Sequence, residues 1–325
     1  MKLRRRQFLH LAAGAAALPA ASRLARAQTY PTRPVHLIVG YAAGGPNDTT
    51  ARLIGQALSE RLGQQFIIEN RTGAGGNIGT EAVVRAPADG YTLLLVSSSN
   101  AVNATLYDKL SFDFIRDIAP VASLASVPNV MVVNPSVPAK TVPEFIAYAK
   151  ANSGKLNMAT AGNGTTPHVC GELFNAMTGT DLVPVAYRGG APGLMDLMGG
   201  QVQVMFEGIA SSIGYIKAGK LRALAITSAT RSAALPEVPT VSEFVAGYEA
   251  SSFFGVGAPK GTPAEIVSKL NSEINAGLAD RQLKERLADL GGDPMPMSPT
   301  EFARLIVDET EKWGKVIRTA NMKPE

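Results

Sequence analysis

Apolar and polar positions along the chain follow two rhythms. Short apolar runs rich in β-branched residues end in glycine-rich breaks, and stretches follow in which apolar residues recur at helical spacing. The first rhythm is that of strands buried on both faces, the second that of amphipathic helices. Val35–Tyr41 predicts a strand, Gly44-Gly45-Pro46 breaks it, and from Ala51 the residues Leu53, Ile54, Ala57, Leu58 and Leu62 predict a helix that Gly63 stops.

The pattern repeats. Gln65–Glu69, Tyr91–Val96, Ile118–Leu124 and Val130–Val133 read as strands, with a short helix at Gly79–Arg85 and a boundary at Val127-Pro128. Leu156–Thr160, Leu182–Ala186, Val202–Phe206 and Leu221–Thr227 form a second strand series. Helices fill its gaps at Val169–Met177, Ala191–Met198 and Ile209–Lys217. Capping boxes at Thr141, Thr240, Thr262 and Ser298 open further helices, and Ser251–Gly257 reads as a late strand. Strands alternating with helices predict an α/β fold with parallel sheets. The two terminal helices need a sheet to cover, and the first series is the expected host. The chain would then cross near Ser126–Asn129 and return near Glu249–Phe254, leaving two lobes with a cleft between them.

Charge changes this picture only at the start of the chain. Lys2, Arg4, Arg5 and Arg6, an Ala-rich run and Ala25-Arg26-Ala27 form the three parts of an export signal over residues 1–27. Arg5-Arg6-Gln7-Phe8-Leu9 fits the twin-arginine pattern, although Arg4 stands where Ser or Thr is preferred. The signal holds six of the 31 basic residues and none of the 27 acidic ones, which leaves 25 against 27, or −2, after cleavage. The basic balance of the full chain is therefore no sign of nucleic-acid binding. Cys170 is the one cysteine, so no intrachain disulfide can form.

Two loops carry the candidate chemistry. Tyr41, Ala43, Gly44, Gly45, Asn47 and Asp48 lie between the first strand and its helix. Gly162, Gly164, Thr165, Thr166 and His168 lie at the matching place in the second series. Free N–H groups at a helix start and the positive end of its dipole suit an anion, and glycine lets a ligand come close. Asp48 reads equally as a helix cap or a ligand contact, and the His168 ring could face solvent. Gly45 is expected to occupy the turn's positive-φ position. Tyr187, Arg188 and Gly189 form a third such loop, Glu207 ends a strand on a carboxylate, and Ser98 and Asn100 follow another strand. Opposed cradles suit a small carboxylate. No metal or cofactor site is expected: two His remain after the signal. Gly73-Ala74-Gly75-Gly76-Asn77-Ile78 has Ile where a dinucleotide loop needs its third glycine.

The stretches YPTRPVHLIVGYAAGGPNDTTAR, NRTGAGGNIGTEAV, ADGYTLLL, AGNGTTPH, VAYRGGAP, LMGGQVQVMFE and APKGTPAEIVSKLN resemble, in order, the Bug (TctC-type) periplasmic solute-binding receptors of tripartite tricarboxylate transporters. The resemblance implies a two-lobed periplasmic binding protein (Venus flytrap, type II-like) with two crossing segments. Lobe 1 would comprise residues 28–126 and 252–325, and lobe 2 residues 127–251. It implies that the loops at Tyr41–Asp48 and Gly162–His168 bind a ligand carboxylate, largely through backbone amides and water. It also implies a periplasmic monomer that hands its ligand to membrane subunits. Arg188 stands where Lys is common and Glu207 where Asp is common, so the ligand cannot be borrowed from a relative. The alternative is an exported hydrolase or isomerase using Asp48 or Glu207 as base, against which stands the lack of a placed acid–base pair.

Overall fold

The computed structural model describes residues 30–324. The export signal read at residues 1–27 lies outside the described residues. The chain opens with β1 (Val35–Val39), α1 (Pro46–Leu62), β2 (Phe66–Asn70), α2 (Asn77–Val84), β3 (Thr92–Ser97) and α3 (Ser98–Leu106). After the one-turn α4 (Phe114–Asp117) comes β4 (Ile118–Val133). The second series is α5 (Val142–Ala151), β5 (Asn157–Thr160), α6 (Thr166–Thr178), β6 (Val183–Ala186), α7 (Gly190–Met198), β7 (Val204–Gly208), α8 (Ile209–Lys217) and β8 (Arg222–Ile226). The chain ends with β9 (Ser251–Pro259), α9 (Ala264–Leu278), α10 (Arg281–Asp289), β10 (Asp293–Pro294) and α11 (Pro299–Thr319).

β4 belongs to two sheets. Its residues from Ile118 to Pro128 pair with β9, in the order β2-β1-β3-β9-β4-β10. From Asn129 to Val133 it pairs with β7 and β8, in the order β6-β5-β7-β4-β8. Each sheet thus has three parallel strands followed by an antiparallel one, with β4 and β10 beyond it in the first sheet and β8 beyond it in the second. The chain passes between sheets at Pro128-Asn129. It returns at Ala250-Ser251, where the Ala250 N–H donates to Thr227 O at 2.9 Å. This is the two-lobed architecture with two crossings that the strand pattern predicts.

The differences from expectation have local causes. β4 is one strand of 16 residues, not two, because Pro128 sits where the pairing partner changes and an interruption in the ladder is tolerated there. α1 starts at Pro46, which serves as a first helical residue instead of a break. α3 opens on Ser98-Ser99-Asn100, too polar for an apolar stripe to reveal it. The Thr262 hydroxyl donates to Pro259 O at 2.7 Å and leaves Pro263 as the cap of α9.

Four apolar clusters form the interior. Val35, Leu37 and Val39 of β1 pack with α1 and α9 on one face of the first sheet, through Ile54, Leu58, Leu270 and Ile274. α11 serves two clusters. Phe302 and Ile306 pack with Leu94, Val96 and Phe253, whereas Trp313, Val316 and Ile317 pack with Met131, Phe174 and Tyr248 of the second series. Each such buried side chain contributes about 1.5–3 kcal/mol. No helix among the described residues is long and apolar enough to cross a membrane.

Candidate functional site

Both glycine loops stand at the carboxyl ends of parallel strands, where α/β sheets place ligands. In the first, Asp48 is buried and its carboxylate is fully engaged. Oδ2 accepts from Gly44 N–H at 2.9 Å and Arg52 Nε at 2.9 Å, and Oδ1 accepts from Asn70 Nδ2 at 3.0 Å. The Arg52 hydrogen bond, helped by the Gly44 and Asn70 donors, pulls the Asp48 pKa down to about 2. Asp48 therefore shapes the loop. The positive φ falls on Gly44, at 84°, while Gly45 caps α1 at φ −82°, contrary to the expectation for Gly45. Ala43 and Gly44 are exposed, and Asn47 Oδ1 is buried without a protein partner. Tyr41 donates to Gly75 O at 2.8 Å, and burial pushes its phenol pKa up.

In the second loop, Thr165 caps α6 and its hydroxyl donates back to Gly162 O at 2.7 Å. Gly162 and Gly164 both have positive φ, 117° and 71°. A Cβ on Gly164 would lie 2.4 Å from Leu106 Cδ2, so this loop packs directly on α3 of the first series. The Gly164 N–H points to His168 Nδ1 at 3.3 Å. His168 is 6 % exposed, so its ring is part of the interior and not turned to solvent. Burial lowers its pKa to about 4 and keeps it neutral. Nε2 then carries the proton, 3.8 Å from Glu172 Oε1.

The remaining candidates divide between frame and opening. Ser98 Oγ accepts from Phe253 N–H at 2.7 Å. Asn100 Oδ1 accepts from Ser97 N–H at 2.8 Å and its Nδ2 donates to Thr80 Oγ1 at 2.9 Å, which makes it framework. Tyr187 donates to Asp196 Oδ2 at 2.7 Å, and burial with that carboxylate raises its pKa to about 12. Arg188 is exposed, and Gly189 caps α7 at φ 101°. Glu207 is the penultimate residue of β7, opposite Val130 of β4, and its Oε1 accepts from Gly208 N–H at 2.9 Å. Its Oε2 is buried with no partner and lies where a Cβ on Gly190 would be, 2.2 Å away. Burial raises the Glu207 pKa.

Sequence reasoning missed Ser252, whose hydroxyl donates to Thr166 Oγ1 at 2.9 Å across 86 residues of chain. It also missed Asn103, whose Nδ2 donates to Gly75 O at 2.8 Å and holds the Gly73–Gly76 turn beside Tyr41. No local pattern announces either residue.

Residues 50–322 match the model of the tripartite tricarboxylate transporter family receptor. Protein BugT of Bordetella pertussis is 39% identical over 302 residues, covering 91% of this chain and 92% of BugT. Among solved structures, R. palustris Rpa4515 with adipate is 39% identical with a TM-score of 0.80, over 91% of this chain and 100% of that one. MatC from Rhodopseudomonas palustris with bound malate is 33% identical with a TM-score of 0.75, over 89% of this chain and 100% of that one. These relatives are solute-binding receptors, so the exported hydrolase or isomerase falls away. The chain belongs to the tripartite tricarboxylate transporter family receptors, of the Bug (TctC) type, and is a solute-binding receptor, not an enzyme.

Proposed function

We propose that this receptor is exported through its twin-arginine-like signal at residues 1–27, works in the periplasm as a monomer, and captures a small carboxylate for the membrane subunits of a tripartite tricarboxylate transporter. What supports this reading is the pair of strand–glycine-turn–helix loops, one on each sheet, each at the carboxyl end of a parallel strand. The lobes divide near residues 127 and 251, close to Pro128-Asn129, where β4 changes partners, and to Ser251, where β9 begins. The carboxylate sits between the first loop (Tyr41, Ala43, Gly44, Gly45, Asn47) and the second (Gly162, Gly164, Thr165, Thr166). Ser98, Tyr187, Arg188, Gly189 and Glu207 surround its far end, and Asp48, Asn100 and His168 hold the loops in shape. The adipate of Rpa4515 and the malate of MatC support the ligand class.

A thermal-shift screen of adipate, malate, citrate, aspartate and nicotinate tests it. A binder raises the melting temperature because it binds only the folded form. At least one of the five should do so, and the bound molecule should be recovered chemically unchanged. No shift with any of them would remove the carboxylate reading. Lysines in place of Arg5 and Arg6 should block export; normal export would leave the general secretory route.

A further inference from the structure

Consecutive residues of β9 reach both halves of the site. Ser252 Oγ donates to Thr166 Oγ1 at 2.9 Å, and the Phe253 N–H donates to Ser98 Oγ at 2.7 Å. Ser252 lies opposite Val127 on β4, two residues before β4 changes sheet at Asn129. In the second loop two other polar groups are already engaged. The Thr165 hydroxyl is spent on Gly162 O, and the Gly164 N–H faces His168. Thr166 is thus the loop's remaining hydroxyl. Its oxygen accepts from Ser252, so its own proton stays available, and a hydroxyl that accepts a hydrogen bond donates a stronger one. Both residues are only half-buried, so water could satisfy either one. Their pairing fixes a threonine rotamer; it does not rescue a buried polar group.

We propose that Ser252 is a positioning residue of the ligand site: by donating to Thr166 Oγ1 it turns the threonine O–H toward the ligand carboxylate, and because it lies one residue past the return crossing at Ala250-Ser251 it couples that rotamer to the angle between the lobes. The inference rests on the two-loop reading above. A lone hydroxyl contact would act on one loop only. Here the next residue of the same strand holds Ser98 of the other half, so bending β9 moves both contacts together.

The test is titration calorimetry with the tightest of the five screened carboxylates, joined to ligand-free hydrogen exchange. Ser252→Ala should weaken binding about tenfold, and Ser252→Thr should restore it to within about twofold. Thr166→Val should also cost about tenfold, and the double variant should bind no more weakly than Thr166→Val alone. Ligand-free exchange at residues 161–168 should quicken in Ser252→Ala and not in Ser252→Thr. If Thr166→Val weakens binding and Ser252→Ala does not, the two-loop reading stands and the role of Ser252 falls. If neither variant changes affinity, the two-loop reading falls as well. Additive losses in the double variant would overturn the coupling. Should none of the five bind, unchanged exchange in Ser252→Ala overturns the inference on its own.

Discussion

The Lys312 ammonium meets the Glu249 carboxylate at 2.8 Å, joining α11 to the segment that returns the chain to the first sheet. Lys312 also bonds Glu309 Oε1, and Glu309 Oε2 accepts from Trp313 Nε1 at 2.7 Å. Trp313 is fully buried in the cluster shared with the second series. Lys312 and Glu249 are partly exposed, so solvent screens their attraction. Glu309 is buried and would lose its counter-charge if Lys312 were removed. Lys312→Met should therefore lower stability by about 2 kcal/mol, read from urea midpoints. A loss no larger than that of an ordinary surface substitution would mean the network is not coupled to the fold.

The two glycine loops should respond differently to a methyl group. Gly164→Ala meets both a positive φ of 71° and Leu106 at 2.4 Å, so about 2–4 kcal/mol should be lost. Gly45 has φ −82°, and a Cβ placed on it would come no closer than 3.7 Å to its nearest neighbour beyond the adjoining chain, Ala42 O. Gly45→Ala should leave stability within about 0.5 kcal/mol. Gly45→Val should then lower carboxylate affinity without lowering the melting temperature. Unchanged affinity would move the ligand away from the first loop.

Acid should loosen the second loop through His168. Its unfolded pKa is near 6.5 and its folded pKa about 4, lowered by burial. Between those values the unfolded chain binds a proton that the folded chain refuses. Stability is thus complete above pH 6.5 and is lost as pH falls toward 4, by at most about 3 kcal/mol. Protonation would also set an Nδ1 donor against the Gly164 N–H. Urea melts at pH 7 and pH 4.5 should differ more in the wild type than in His168→Gln. Equal slopes would mean that the ring is solvated.

How much of the fold and site is legible in the sequence depends on the range of each interaction. Helix α8 has the bounds its periodicity predicts, and the Gly63 stop is a left-handed cap at φ 71°, because periodicity and caps are local. The two crossings are legible because two strand series need two sheets. Pro128 hides the unity of β4, and a polar first turn hides α3. At the site, glycine spacing reveals the loops but not the roles within them. Asp48 is framework because Arg52 and Asn70 converge on it, and His168 is buried because the chain closes over it. Ser252 reaches Thr166 through a contact that no sequence pattern encodes.

Glu207 is a carboxyl group that the fold holds in its interior. Its Oε2 is buried against Gly190 without a donor, and only the Gly208 N–H supports Oε1. Burial outweighs that one hydrogen bond and raises the folded pKa above the ordinary 4.5. The folded chain then holds a proton that the unfolded chain has released, so stability falls as pH rises through the folded pKa. Glutamine imitates the protonated carboxyl in shape and never ionises. Glu207→Gln should match the wild type below pH 4.5 and exceed it at pH 8, measured by urea midpoints at both values. A gain in stability together with weaker ligand binding would mark a group kept for recognition at a cost to the fold. If Glu207→Gln is no more stable at pH 8, the carboxylate is ionised and solvated in the native protein, and Oε2 does not sit in the interior.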